Sequence, residues 1–245
     1  MVGWLNSDDL YYRRETVSEA VRAFQLHPEA GMVYADGLKI TAGGMLIDWF
    51  HYPQYDLKDL LSFNVLLQPA SFMRAGALKA AGYLPEGSNL LLDHELWLQL
   101  AARHPIIHLD GFWGVERSHE SAKTISMAAH YGPDAFVLLE ALKKDPLFAP
   151  TIQAHQAEIL AGIHIFHARR LIDARLPREA LRNFWQAARL HPKSAARVWF
   201  KIFQALAGLI GLGETVVSAR NSIRSYKNQP RKLVVQPDGP LWVDS

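Results

Sequence analysis

The chain has 245 residues, of which 49% are hydrophobic, 11% aromatic and 20% charged. This is enough for one large domain or a domain with an appendage, and it excludes wholesale disorder, a collagen and a multi-span membrane protein. The absence of cysteine excludes disulfide frameworks, thiolate nucleophiles, iron–sulfur clusters and cysteine-ligated zinc. The formal net charge of +2 averages two unlike parts: 12 basic and 18 acidic residues precede Pro150, 14 basic and 6 acidic follow it, or −6 against +8. A basic second part suits a membrane surface, a nucleic acid or an acidic partner.

In chain order, Val2 to Leu5 reads as the end of a buried strand, with neither the basic start nor the apolar length of a signal peptide. Later segments, or sequence before Met1, must complete its sheet. Glu15 to Leu26 places Val17, Ala20, Val21 and Phe24 at helical spacing, predicting a helix with that face on a sheet. Gly31 to Ile40, the Gly43-Gly44 turn and Met45 to Phe50 predict a hairpin. A short helix follows at Leu57 to Leu61, then a strand-like Val65 to Met73 made irregular by Pro69, then a helix over Ala75 to Ala81 closed by Gly82. Asp93 to Ala102 predicts a helix with Asp93 as N-cap and Leu96, Trp97 and Leu100 on one face. Ile106 to Leu109 predicts a brief strand, with a loop through Thr124. From Gln153 to Tyr226 the pattern is helical throughout, broken at Pro177 and Pro192, and Leu171 to Pro192 is similar to one tetratricopeptide-type helix pair. The expected organisation is an α/β body over 1–150 and a helical, basic subdomain over 151–245.

Three segments carry candidate chemistry. Asp8-Asp9 ends an apolar run, and adjacent carboxylates at strand ends can hold a hard divalent cation; a helix cap or turn is the other reading. Asp93 follows an apolar stretch at a helix start, where desolvation suits a general base, and where a plain cap is equally natural. Arg117 to Thr124 places Arg117, His119 and Lys123 in one loop, fit for a diphosphate and a metal, or simply a solvated loop.

These residues together resemble a known family. Gly3-Trp4-Leu5-Asn6-Ser7-Asp8-Asp9-Leu10-Tyr11, Val33-Tyr34-Ala35-Asp36-Gly37, Gln68-Pro69-Ala70-Ser71-Phe72-Met73-Arg74, Asp93-His94-Glu95-Leu96-Trp97-Leu98 and Arg117-x-His119-x-x-x-Lys123-Thr124 resemble, in order, the family 2 glycosyltransferases of the GT-A fold. The resemblance covers about half the chain. It implies a truncated GT-A, nucleotide-diphospho-sugar transferase-like mixed sheet with flanking helices, followed by an all-helical C-terminal subdomain. The family's N-terminal nucleotide-binding portion is expected to be lacking, since no such units precede Gly3. The implied activity is inverting, metal-assisted transfer of a sugar from a nucleotide-sugar donor to a hydroxyl acceptor, carbohydrate or lipid-linked, in cell-surface polysaccharide or glycolipid synthesis. Asp8 and Asp9 match the metal- and diphosphate-binding motif, with Mg2+ or Mn2+ as cofactor. His119 matches a further metal contact, Arg117 and Lys123 diphosphate contacts, Asp93 the catalytic base, and Gln68, Glu95 and Trp97 acceptor or sugar contacts. Asn6 stands where many members have an aspartate.

Val198 to Leu212 is strongly apolar but short of the roughly 20 residues that span a bilayer. With Arg197, Arg220, Arg224, Lys227, Arg231 and Lys232 around it, 198–232 reads as an interfacial segment, or as a helix packed on the body. The expected location is cytoplasmic, peripheral at the inner face of the cell membrane. Nucleic acid is not an expected partner, because the basic residues are not interleaved with aromatics in a recognisable module. His164 and His167, a pair without a third ligand, read as structural. The rival reading is an inactive fragment or pseudoenzyme acting through its helical basic tail. A metal-dependent phosphoryl or nucleotidyl transferase comes third.

Overall fold

A ten-residue strand, Met32–Thr41 (β3), organises the body of the computed structural model, which describes residues 1–84, 90–118, 127–213, 215–219, 231–236 and 239–244. Along one edge β3 pairs antiparallel first with Ser71–Met73 (β5) and then with Leu46–Phe50 (β4), its partner in the expected hairpin. Along the other edge it runs parallel to Ile106–Ser118 (β6). Val2–Gly3 (β1) closes the sheet beyond β5, and Leu10–Tyr11 (β2) closes it beyond β6, both antiparallel. The opening strand thus finds a partner within the chain, Val2 opposite Met73 and Gly3 opposite Phe72, and is an edge of the sheet among the described residues.

The predicted brief strand at Ile106 continues to Ser118. Asp110-Gly111 reads as a break, but Gly111 takes φ +102° and the β3–β6 register shifts beside Asp36, so the ladder passes through the irregularity. Next to that shift Gly37 pairs with Gly114. The 3-10 turn Gln68–Ala70 lies directly on them: a Cβ on Gly37 would come within 2.4 Å of Leu67, and one on Gly114 within 2.5 Å of the Ala70 nitrogen. This close approach presents Gln68 beside the segment that links β1 to β2. Gly114→Ala is therefore expected to lower stability by about 1–3 kcal/mol through overpacking against backbone. Gly76→Ala, in open space on a helix, should raise it by about 0.5–1 kcal/mol. Urea unfolding midpoints of the two variants check this contrast.

Four helices accompany the sheet: Thr16–Leu26 (α1), Leu57–Leu61 (α2), Ala75–Ala80 (α3) and Leu92–Ala101 (α4). On α1 the buried face is Thr16, Ala20, Ala23 and Phe24. Val17 and Val21, expected inside, are exposed, because the small Ala20 and Ala23 allow the helix a close approach to the sheet. On α2 Asp56 and Asp59 form a capping box. On α4 the N-cap is Leu91, so Asp93 lies within the first turn rather than at the cap.

Tyr131–Leu142 (α5), Ala149–Ala154 (α6), Gln156–Asp173 (α7), Pro177–Leu190 (α8), Pro192–Arg197 (α9) and Trp199–Leu209 (α10) follow. The largest core runs without interruption from Met32 and Tyr34 of the sheet, through Leu96, Trp97 and Leu100 of α4, to Ile159, Ile163 and Phe166 of α7. A second, smaller core joins α7 to α8, α9 and α10 through alanines and Phe184. His164 of α7 bonds Asn183 of α8 through Nδ1 at 2.8 Å, a structural contact across that helix pair.

The expectation of an all-helical C-terminal part fails at Arg231–Gln236 (β7) and Gly239–Asp244 (β8), which form an antiparallel hairpin. Leu233 donates its N–H to the Gly44 carbonyl (2.8 Å), and its side chain is buried with Leu38, Ile40 and Val115. Gly44, at φ +90°, has no room for a Cβ there, since one would lie 2.5 Å from the Leu233 oxygen. Of the basic residues expected to flank the apolar segment, Arg220, Arg224 and Lys227 lie outside the described residues.

Candidate functional site

The link from β1 to β2, Trp4 to Asp9, crosses between the start of β5 and the far end of β6, and the ladders on either side decide what it meets. Leu10 opposite Val115 brings Asp9 beside Arg117. Gly3 opposite Phe72 brings Trp4 and Asn6 beside Gln68. The result is a chain of polar contacts joining residues up to 109 positions apart. Gln68 Nε2 donates to the Trp4 carbonyl (3.0 Å), and Asn6 Nδ2 donates both to Gln68 Oε1 (2.8 Å) and to Asp9 Oδ2 (3.0 Å). The other Asp9 oxygen, Oδ1, accepts the backbone N–H of Arg117 (3.1 Å).

Asp9 is buried, and burial holds its pKa above the ordinary carboxylate value. The bonds from Arg117 and Asn6 pull it back, while the neighbouring charges of Asp8 and Glu116 push it further up. A cation at this place would relieve that penalty. The Arg117 guanidinium holds the backbone: Nε donates to the Asp8 carbonyl (3.2 Å) and Nη1 to the Ala42 carbonyl (2.9 Å). It clamps the Asp8–Asp9 turn to the β3–β4 turn.

Asp93 is half-buried in the first turn of α4, where helix-terminal N–H groups favour an anion. Its Oδ1 accepts the His94 N–H at 2.8 Å. Burial raises its pKa, and the Glu116 carboxylate adds to this; the bonds from the backbone N–H groups of His94 and Asp93 itself and the positive charge of Arg170 oppose it. Glu116, ion-paired to Lys39 at 2.8 Å, thus pushes the pKa of Asp9 and of Asp93 up alike. Arg170 stacks over Tyr131 and Phe166, at 5.1 and 5.3 Å from the ring centres, which fixes it on the Asp93 side.

No protein-family model matches the chain, and no curated protein matches it. Of the expected positions, Asp8, Asp9, Gln68 and Arg117 come together, and Asp93 and Glu95 stand in the first turn of α4. Trp97 does not join them: it is fully buried in the core beside Leu96 and Leu100, so its ring meets protein rather than an acceptor. His119 and Lys123 lie outside the described residues. Among the described residues no group of three metal-ligating side chains occurs.

Glu116, Arg170 and Tyr131 carry no signal in the sequence, because their influence on the carboxylates arises only from tertiary packing. Nor did Asp36 have an expected role. That buried carboxylate binds His51 Nδ1 through Oδ2 (2.7 Å), and through Oδ1 both His108 Nε2 (3.1 Å) and the Tyr52 N–H (3.0 Å). It ties β3, the end of β4 and β6 together. No sequence spacing signals such a link, since its partners are 15 and 72 positions away.

Proposed function

We propose that the chain is a glycosyltransferase of the family 2, GT-A-like kind, moving a sugar from a nucleotide-sugar donor to a hydroxyl of a carbohydrate or lipid-linked acceptor. The observation that carries this reading is the convergence of Asn6, Asp8, Asp9, Gln68 and Arg117 from three separate segments, in a chain that also holds a half-buried carboxylate, Asp93, in the first turn of a helix. The same residues carry the resemblance in the sequence.

The Asp8–Asp9 pair fits a magnesium- or manganese-type ion. Such an ion needs only one or two protein carboxylates, the rest of its shell being water and phosphate oxygens. Each Asp9 oxygen accepts one described hydrogen bond, which leaves about half of the roughly four lone-pair positions of a carboxylate. When bound, a divalent cation would neutralise charge developing on the departing diphosphate. Arg117 keeps the two aspartates in place through the backbone, and Asn6 and Gln68 hold the Asp9 carboxylate at a fixed angle. Asp93 accepts the proton of the acceptor hydroxyl, and its raised pKa brings its basicity closer to neutral pH.

Nucleoside diphosphate together with Mn2+ should raise the melting temperature of the full chain. At about a hundredfold excess over Kd the gain is about 2.7 kcal/mol, or roughly 5–10 °C for a chain of this size. Neither component alone should do so, and Asp9→Ala should abolish the shift. A flat response to every nucleoside diphosphate with Mn2+ or Mg2+ would return the chain to the inactive reading.

A further inference from the structure

Two helices of the second core expose faces that the glycosyltransferase reading does not use. On α8 Arg178, Arg182, Trp185 and Arg189 succeed one another at intervals of four, three and four residues, which makes them one stripe of the helix. All four are exposed. The side buried against α7 is a different one, formed by Ala180, Phe184 and Ala187.

α10 lies along α8 with Gln204, Ala205 and Gly208 turned inward; a side chain at Gly208 would come within 3.1 Å of Pro177 Cβ, at the start of α8. Turned outward are Trp199, Phe203, Leu206 and Ile210, with Trp199 67% and Ile210 73% exposed. Pro177 is one residue, or about 100° of helix, from Arg178. The arginine stripe therefore borders α10, and basic and apolar faces adjoin on the outer side of the helical layer.

Apart from Trp185, which stands among the arginines of α8, the exposed large apolar side chains of the two helices lie on α10, beside the charge rather than within it. Lys201 of α10 is drawn back onto Gln204 (3.0 Å) and leaves the outward face of that helix apolar. A single-stranded polynucleotide would call for a series of stacking aromatics between the cations along one groove, and of this stripe Trp185 alone is aromatic. A layered partner, anionic outside and apolar beneath, matches the two helices as they stand. Eleven residues of helix extend about 16 Å, about half the roughly 30 Å of a hydrocarbon core, and no helix among the described residues is long and apolar enough to cross a membrane.

We infer that this face docks on an anionic lipid bilayer. α10 lies in the plane of the interface with Phe203, Leu206 and Ile210 below the headgroups, Trp199 and Trp185 sit at headgroup level, and Arg178, Arg182 and Arg189 meet the lipid phosphates.

The test is flotation of the full chain with vesicles of phosphatidylcholine alone and of phosphatidylcholine mixed with phosphatidylglycerol. The chain should float with the mixed vesicles, less so as salt rises. Arg182→Ala with Arg189→Ala should lower the partition coefficient about twenty-five-fold, about fivefold per charge. Phe203→Ser with Ile210→Ser should lower it at least about tenfold. The four side chains are at the surface, so unchanged circular dichroism and melting temperature should accompany both losses.

Three results would overturn the inference. One is absence of flotation by the folded chain. Another is tighter binding to single-stranded polyuridylate than to vesicles. The last is a sedimentation dimer broken by the Phe203 and Ile210 substitutions, which would assign the face to a second copy of the chain.

Discussion

Asp93→Asn is expected to lower kcat for sugar transfer by about a hundred- to ten-thousandfold, the usual contribution of a positioned base. The amide is nearly isosteric, and its Oδ1 can still accept the His94 N–H that Asp93 now accepts at 2.8 Å. What the substitution removes is the proton acceptor. The raised pKa of Asp93, caused first by burial, means that folding favours its protonated form. The resulting cost to stability is present above the folded-state pKa and falls away as pH drops towards the ordinary carboxylate value, so at neutral pH the neutral variant should be as stable or more stable. Lost activity with a retained or higher melting temperature is thus the predicted pair. The acid limb of kcat/KM should lie above the ordinary carboxylate range in the native chain and vanish from any residual activity of the variant. An active variant would remove Asp93 from the chemistry, and an inactive one that also unfolds early would make its role structural.

The second large effect concerns the neighbouring residue. His94 is buried in α4, its Nε2 2.9 Å from the Leu60 carbonyl and its Nδ1 without a hydrogen-bond partner among the described residues. Its ring packs on Phe63, 4.4 Å between centres. Burial pushes its pKa down to about 4. Because the unfolded chain takes up this proton near pH 6.5 and the folded chain only near 4, stability is intact above 6.5 and is lost progressively as pH falls between the two. The loss is about 3 kcal/mol at its limit. Urea midpoints measured at pH 7.5 and pH 4 should differ by much less in His94→Gln than in the native chain. The variant isolates this residue from Asp9 and Asp93, whose raised pKa values act in the opposite direction over acid pH. Equal pH dependence in both chains would refute the assignment.

The parts of the fold written in short-range pattern were legible. The β3–β4 hairpin follows from Gly43-Gly44 between two apolar runs, and the core face of α4 follows from the spacing of Leu96, Trp97 and Leu100. Features that depend on tertiary packing were not. Val17 and Val21 satisfy helical periodicity as well as Ala23 does, and only the closeness of α1 to the sheet decides for alanine. The length of β6 was hidden by Asp110-Gly111, a turn signal that the structure uses as a bulge. The C-terminal hairpin was readable in principle: Pro237-Asp238-Gly239 separates Leu233-Val234-Val235 from Leu241-Trp242-Val243, the alternation of apolar strand and turn residues expected of one. At the site, Asp8, Asp9, Gln68 and Arg117 could be named from ordered motifs. That Asn6 would bridge Asp9 to Gln68, and that Arg117 would hold backbone, required the ladders that join β1 to β5 and β2 to β6.

The docking of Leu233 on Gly44 also bears on how the protein is made. Leu38, Ile40 and Val115 emerge from the ribosome long before the residue that seals them. The sheet that holds them is complete only once β6 ends at Ser118, and at typical synthesis rates the stretch from there to Leu233 takes roughly six to twenty-three seconds. Throughout that interval the sheet carries an uncovered apolar patch, so the nascent chain is a natural client for a holding chaperone until its last hairpin arrives.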